Sequence, residues 1–271
     1  MVWWSWERWE REIDWMALHG INLPLAFTGQ EAVWYQLYKG LGMTDSELQD
    51  FFTGPAFLAW QRMGNLRRWG GPLDADWRSD QADLQKKILA RMREFGMTPV
   101  LPGFAGHVPG AISRIFPHAN LTHTSNWSGF NSTYSSVSLL EPSDPVFQII
   151  GKKYYSLLID AFGTDHVYNC DTYNEMNPNS GDAGFLKTSN EAVYQAMAAV
   201  DSKAIYLMQG WLFYSAKDFW TNDRIKAYLS GVPNDKMIIL DLFTDRAPVW
   251  NRTSSYFGKP WIWCMLHNFG G

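Results

Sequence analysis

The chain has 271 residues and a formal net charge of −4, and its 23 Lys and Arg are scattered rather than gathered into a stripe. That length suits one (β/α)8 barrel or two small domains, and the absence of a basic patch excludes nucleic acid or an anionic membrane surface as the expected partner. No run of about 18 apolar residues offers a membrane span, and "MVWWSWERWERE" lacks the basic-then-apolar order of a signal peptide.

The first element is a helix over 6–20, where Trp9, Ile13, Met16 and Ala17 share one face and a glycine follows. It hands over to a short apolar strand, "INLPLAF" (21–27), then to a polar turn and a second helix over 31–42. "PAFLAW" (55–60) is a weaker strand candidate ending in Trp60, and "SDQADLQKKILARMREFG" (79–96) is an amphipathic helix with Gly96 past its end. A strand at 98–104 precedes a long loop, and a helix over 144–163 leads to the strand "HVYNCDTYN" (166–174). Strands at 204–211, 237–243 and 260–266 complete the series, with helices at 188–200 and 217–230 between the strands from 166 to 243.

Strands that are apolar through their length and alternate with amphipathic helices call for a parallel sheet covered by helices. Seven such units, with no Gly-rich phosphate loop after the first strand, fit the α/β class and a TIM-type (β/α)8 barrel better than an open doubly wound sheet. The expectation is one domain over 1–271, a barrel truncated at about seven of eight strands, incomplete at the C-terminus and, from its abrupt opening, at the N-terminus too.

In such barrels the chemistry gathers where strands run into their following loops. Those positions hold Gln30, Glu31, Trp60, His107, Asn174, Glu175, Trp211, Leu242, Phe243, His267, Asn268 and Phe269. Glu175 is the well-placed carboxylate: a carboxyl at the mouth of a barrel, partly desolvated, can hold a proton ready for a leaving oxygen. Asn174 beside it would turn its amide toward a sugar hydroxyl or acetamido group. The plainer alternative for Asn174-Glu175 is a turn that starts a helix.

The chain carries 15 Trp, 12 Tyr and 16 Phe, enough to build a core and still line a sugar cleft with flat rings. Trp60, Trp127 and Trp211 are pocket candidates, whereas Trp6, Trp9 and Trp15 recur at helical spacing and read as core. His107 is either a satisfied polar residue or a substrate contact. Cys170 and Cys264 read as buried free thiols, and no histidine is spaced with a carboxylate for metal binding, so neither metal nor cofactor is expected. Asn120, Asn126, Asn131 and Asn251 each open an N-glycosylation acceptor triplet, which points to the secretory pathway.

The stretches "WERWEREIDWMALHGINL", "FFTGPAFLAWQRMGNL", "FGMTPVLPGFAGHVP", "DTYNEMNP", "QGWLF", "LDLF" and "WIWCMLHNFGG" resemble the catalytic barrel of the α-N-acetylglucosaminidases, family 89 of the glycoside hydrolases. They span nearly the whole chain. The resemblance implies a retaining exo-hydrolase that removes terminal α-linked N-acetylglucosamine from glycans such as heparan sulfate, lysosomal or secreted. It assigns the acid/base role to Glu175 and the sugar pocket to Trp60, Trp127, Asn174 and Trp211, with Leu242 and Phe269 beside them.

A retaining glycosidase needs two carboxylates about 5–5.5 Å apart, and by the resemblance the nucleophile falls beyond Gly271. The substrate's 2-acetamido group cannot replace it, because in an α-gluco sugar that group is cis to the leaving group and cannot attack from the opposite face. The 271-residue chain is therefore expected to be inactive by itself. A non-catalytic carbohydrate-binding barrel is the competing reading.

Overall fold

The computed structural model describes residues 1–265. Its centre is a parallel sheet in which β1 (Leu101–Pro102), β5 (Val167–Asn169), β6 (Ile205–Gln209), β7 (Met237–Asp241) and β8 (Trp261–Trp263) lie side by side in that order. The run at 21–27 extends the sheet past β1 through a parallel bridge between Leu25 and Val100. Ala26 N–H donates to Val100 O at 2.9 Å, and Val100 N–H donates to Pro24 O at 2.9 Å. Six of the seven expected parallel strands are thus present among the described residues.

The missing one is 55–60. Pro55 stands at the first position of a 3-10 turn, Pro55–Phe57, which runs straight into the helix Leu58–Arg62. Proline there fixes a helical φ and has no N–H to place, and it prevails over the apolar pattern that suggested a strand. Trp60 is therefore a helix residue.

Between β1 and the following helix, the stretch expected as a loop contains a small antiparallel sheet of β2 (His107–Val108), β4 (Ser138–Leu140) and β3 (Leu121–His123). Strands of two and three residues are too short for any alternation to show.

The helices fall close to where periodicity put them: Trp6–Leu18, Gln30–Gly40, Ala75–Glu94, Pro145–Phe162, Ala183–Ala198 and Asn222–Leu229. Side-chain caps fix several N-termini, with Asp144 accepting from Val146, Asp182 from Phe185 and Thr221 from Arg224. Of the tryptophans read as core in the first helix, Trp9 is buried but Trp15 is 50% exposed.

Two apolar layers flank the sheet. The outer one packs residues such as Tyr168, Tyr206 and Ile239 against Tyr154, Leu158, Val193 and Ile225 of the helices. The inner one is small: Val100, Val167, Leu207 and Leu240, with Leu23, Phe27, Leu242 and Cys264 against them. At its C-terminal edge the inner face turns polar, and that change prepares the site.

Candidate active site

Strand β5 leads past Cys170 into a turn that carries Asp171, Asn174 and Glu175. Side chains at 167, 169 and 171 fall on one face of an extended chain, so Asn169 and Asp171 follow Val167 on the inner face. Asp171 takes hold of the end of β6: Gln209 N–H donates to Asp171 Oδ1 at 2.8 Å, and Gln209 Nε2 donates to Asp171 Oδ2 and to Asn169 Oδ1, both at 3.2 Å. Burial pushes the Asp171 carboxyl up to about 7, opposed by the hydrogen bonds from Gln209 and Asn169.

This clamp fixes the exit of β6. Gly210 follows, its N–H donating to Leu240 O at 2.8 Å, and a Cβ there would stand 3.0 Å from that same oxygen. Trp211 then opens the helix Trp211–Ser215. Its indole Nε1 donates to Glu175 Oε1 at 3.3 Å.

Two further donors reach the other oxygen. Asn65 Nδ2 donates to Glu175 Oε2 at 3.2 Å, and Trp127 Nε1 donates to the same atom. Asn65 is buried and held by its own N–H, which donates to Trp60 O at 2.9 Å. The loop bearing Trp127 is tied down at Thr124, whose N–H donates to Val137 O at 2.9 Å and whose Oγ1 accepts from Val137 N–H at 2.8 Å. Thr124 Oγ1 also donates to Gly64 O at 3.4 Å, joining that loop to the chain beside Asn65.

Three N–H groups from three separate parts of the chain thus converge on one carboxyl group, which is itself exposed. Glu175 stands open to solvent rather than partly desolvated as the sequence suggested. Oε2 receives two donors and Oε1 only one, which leaves Oε1 the oxygen with room for a proton or for a leaving oxygen. Rings frame the group: Trp60 lies 6.1 Å from Trp127, and Trp211 lies 5.2 Å from Tyr214 and 6.4 Å from Phe243, measured between centroids. An exposed carboxyl between half-buried aromatic planes can exchange a proton with a sugar oxygen while the rings cover a pyranose face.

The structure brings Glu175, Trp127 and Trp211 into direct contact, with Trp60 beside Trp127. Asn174 is buried and points its amide elsewhere, Nδ2 donating to Met63 Sδ at 3.2 Å. Leu242 packs with the inner-face cluster. Phe269, with His267 and Asn268, lies outside the described residues.

His107 is buried, neither ring nitrogen has a hydrogen-bond partner among the described residues, and burial lowers its pKa to about 4. Its ring packs on Gly64 so closely that a Cβ there would stand 2.2 Å from Nε2. Behind it, Glu31 is fully buried in an ion pair with Arg62, whose Nε and Nη2 donate to its two oxygens at 2.7 and 2.9 Å. These residues brace the helix that carries Trp60.

Asn65 and Asp171 were absent from the sequence-derived set. Asp171 sits two residues beyond the last strand residue and belongs to the positions a strand-end reading should inspect. Asn65 follows a helix, and its partner is 110 residues away in the chain, so local pattern carried no signal for it.

The family described as "Alpha-N-acetylglucosaminidase (NAGLU) tim-barrel domain" matches residues 1–271. The chain is 56% identical over 270 residues to the human protein named alpha-N-acetylglucosaminidase, covering all of this chain and 36% of that one. A family 89 glycoside hydrolase from Clostridium perfringens, solved with 2-acetamido-1,2-dideoxynojirmycin, superposes with a TM-score of 0.87 at 31% identity, covering 100% of this chain and 30% of its own. A variant of that enzyme with two Glu→Gln substitutions, solved in complex with its substrate GlcNAc-alpha-1,4-galactose, matches equally well. The chain therefore spans about a third of the length of these relatives.

Proposed function

The chain belongs to the α-N-acetylglucosaminidase (NAGLU) TIM-barrel family, and from that premise we propose that it forms the acid/base half of a retaining exo-glycosidase site for terminal α-linked N-acetylglucosamine. The observation that carries the proposal is the convergence of Asn65, Trp127 and Trp211 on Glu175. Three fixed donors hold the carboxyl group in one orientation before any sugar arrives, and pre-set orientation is what proton transfer in a transition state requires.

In the proposed reaction Glu175 gives its proton to the glycosidic oxygen as the bond from that oxygen to C1 breaks. A second carboxylate attacks C1 from the opposite face to form a glycosyl-enzyme ester. Glu175, now a carboxylate, takes a proton from water as the water oxygen attacks C1 and releases the enzyme carboxylate, restoring the α configuration. Around Glu175 no hydrogen bond among the described residues leads to a second carboxylate, and the family resemblance assigns the nucleophile to a position past Gly271. The 271-residue chain by itself is accordingly expected to bind sugar without turning it over. That the relative from C. perfringens was trapped with its substrate after two Glu→Gln substitutions agrees with a pair of glutamates at the centre of the chemistry.

Trp60, Trp127 and Trp211 would cover the sugar faces; the family resemblance adds Leu242, Phe269 and Asn174 to the pocket, and Asn174 would have to leave Met63 Sδ for its amide to reach a sugar. Heparan sulfate is the proposed natural polymer, as the family resemblance implies. A lysosomal or secreted location fits the four acceptor asparagines Asn120, Asn126, Asn131 and Asn251, all exposed. The test uses a protein of the relatives' full span that carries this chain, given an aryl α-N-acetylglucosaminide and followed by proton NMR. First release of the α-anomer is expected. First release of the β-anomer would overturn the retaining mechanism, and sugar binding without turnover would favour the non-catalytic barrel.

A further inference from the structure

Two of the three donors to Glu175 are carried by segments that meet again at Arg67. Asn65 precedes Arg67 by two residues, and Trp127 lies in the loop between Thr124 and Val137. The backbone N–H of Arg67 donates to Tyr134 O at 2.9 Å. Its side chain donates from Nε to Ser135 O and from Nη2 to Ser132 O, both at 3.3 Å.

Arg67 lines a pocket of about 300 Å³. One wall of it is a single rung of the small antiparallel sheet, where Ser138 of β4 pairs with Val108 of β2 and with His123 of β3. Paired residues project to the same face, so a hydroxyl and an imidazole stand together there. Ser132 and Ser136, the latter at a left-handed φ of 54°, line the pocket too. Among the described residues, none of these three hydroxyls and neither nitrogen of the His123 ring has a hydrogen-bond partner. Ser138 is only 7% exposed, and a Cβ on Gly110, which shares the lining, would stand 3.6 Å from Ser138 Oγ. A buried hydroxyl left unpaired costs stability, so the pocket holds a donor in want of an acceptor.

The charge of this cluster is positive. Asp50 accepts from Arg67 Nη1 at 2.5 Å and from Arg68 Nη1 at 3.3 Å, so one carboxylate answers two guanidinium groups. Arg67 Nη1 and Nη2 carry two N–H each and use one each in the bonds above, which leaves a pair for a ligand. We infer that this pocket binds a tetrahedral oxyanion of the sulfate or phosphate class, free or carried as an ester on a larger molecule, at a site separate from Glu175. The guanidinium fork suits two oxygens of such a group, and the serine hydroxyls can turn to donate to the others. Phe51 and Val108 back the pocket with apolar surface, which strengthens those bonds. A neutral ligand would leave the surplus charge unanswered. The volume is at the lower end of the range for ligand pockets, enough for the oxyanion with part of the molecule that bears it.

The test is isothermal titration calorimetry on the full-span protein, at constant ionic strength so that general screening cancels. The probes are sodium sulfate, sodium phosphate and a sulfated disaccharide that lacks a terminal N-acetylglucosamine. The wild-type protein should bind one oxyanion per chain. Ser138→Ala, which removes only an unpartnered hydroxyl, should weaken that binding about tenfold, the loss of one hydrogen bond to a charged group. Arg67→Gln should abolish it, and Glu175→Gln should bind as the wild type does. Tighter binding of the disaccharide than of the free ions would identify an ester as the ligand, and the reverse would identify the free ion. No saturable binding of any probe, unchanged affinity in Ser138→Ala, or loss of binding in Glu175→Gln would overturn the inference.

Discussion

Replacing Arg62 by Met strips both donors from a carboxylate that has no access to water. Glu31 is 0% exposed at its side chain, and its two oxygens accept from Arg62 at 2.7 and 2.9 Å. Removing one partner of a buried pair costs about 3–5 kcal/mol, because the charge left behind is uncompensated. The Arg62 side chain keeps 23% exposure, so water can partly follow the vacated space, and the lower end, about 3 kcal/mol, applies. At roughly 2–4 °C per kcal/mol for a domain of this size, Tm should fall by about 6–12 °C. The double variant Glu31→Leu with Arg62→Met, which replaces the pair by apolar groups, should recover most of the loss. Thermal and denaturant unfolding followed by circular dichroism measure both. A single variant within about 1 kcal/mol of wild type, or a double variant no better than the single, would refute the reasoning.

Gly64→Ala should destabilise by about 1–3 kcal/mol and weaken catalysis, because Gly64 sits at φ +75° with the His107 ring 2.2 Å from where a Cβ would go, and its neighbour Asn65 donates to Glu175; unfolding and kcat/KM with an aryl substrate check the two effects together. Asp171 and His107 should give stability opposite slopes with pH. The Asp171 carboxyl is raised by burial from about 4 to about 7, so its contribution is complete below its unfolded value and is lost as pH rises through about 7. The His107 imidazole is lowered by burial from 6.5 to about 4, so its contribution is complete above pH 6.5 and is lost as pH falls toward 4. Asp171→Asn should leave stability rising with pH across that interval and His107→Leu should leave it falling, read as denaturant midpoints from pH 4 to 8; parallel profiles for wild type and both variants would contradict the assignments.

The parallel sheet was legible because strands buried on both faces must be apolar throughout, and 204–211 and 237–243 could hardly be anything else. Trp211 could be placed for the same reason, two residues past Gln209 at the end of β6, whereas Glu175 lies in a turn six residues past Asn169, because the strand expected over 166–174 stops early. Trp60 was picked for the site on a mistaken element: the apolar run at 55–60 is helical, and its ring reaches Trp127 from a helix. The antiparallel sheet between His107 and Leu140 left no readable alternation, and Asn65 acts through a contact no local pattern encodes. The clamp from Asp171 to Gln209 was also invisible, because it is a bond between neighbouring strands rather than a property of either.

The claim at the centre is that Glu175 donates the proton to the leaving oxygen. In the full-span protein, Glu175→Gln should cut kcat/KM by about 10²–10⁴ for an α-N-acetylglucosaminide whose leaving group is a sugar or alkyl alcohol. It should cost far less for a dinitrophenyl leaving group, which departs without needing a proton. Equal losses for the two leaving groups, or undiminished turnover of the alkyl glycoside, would contradict the account.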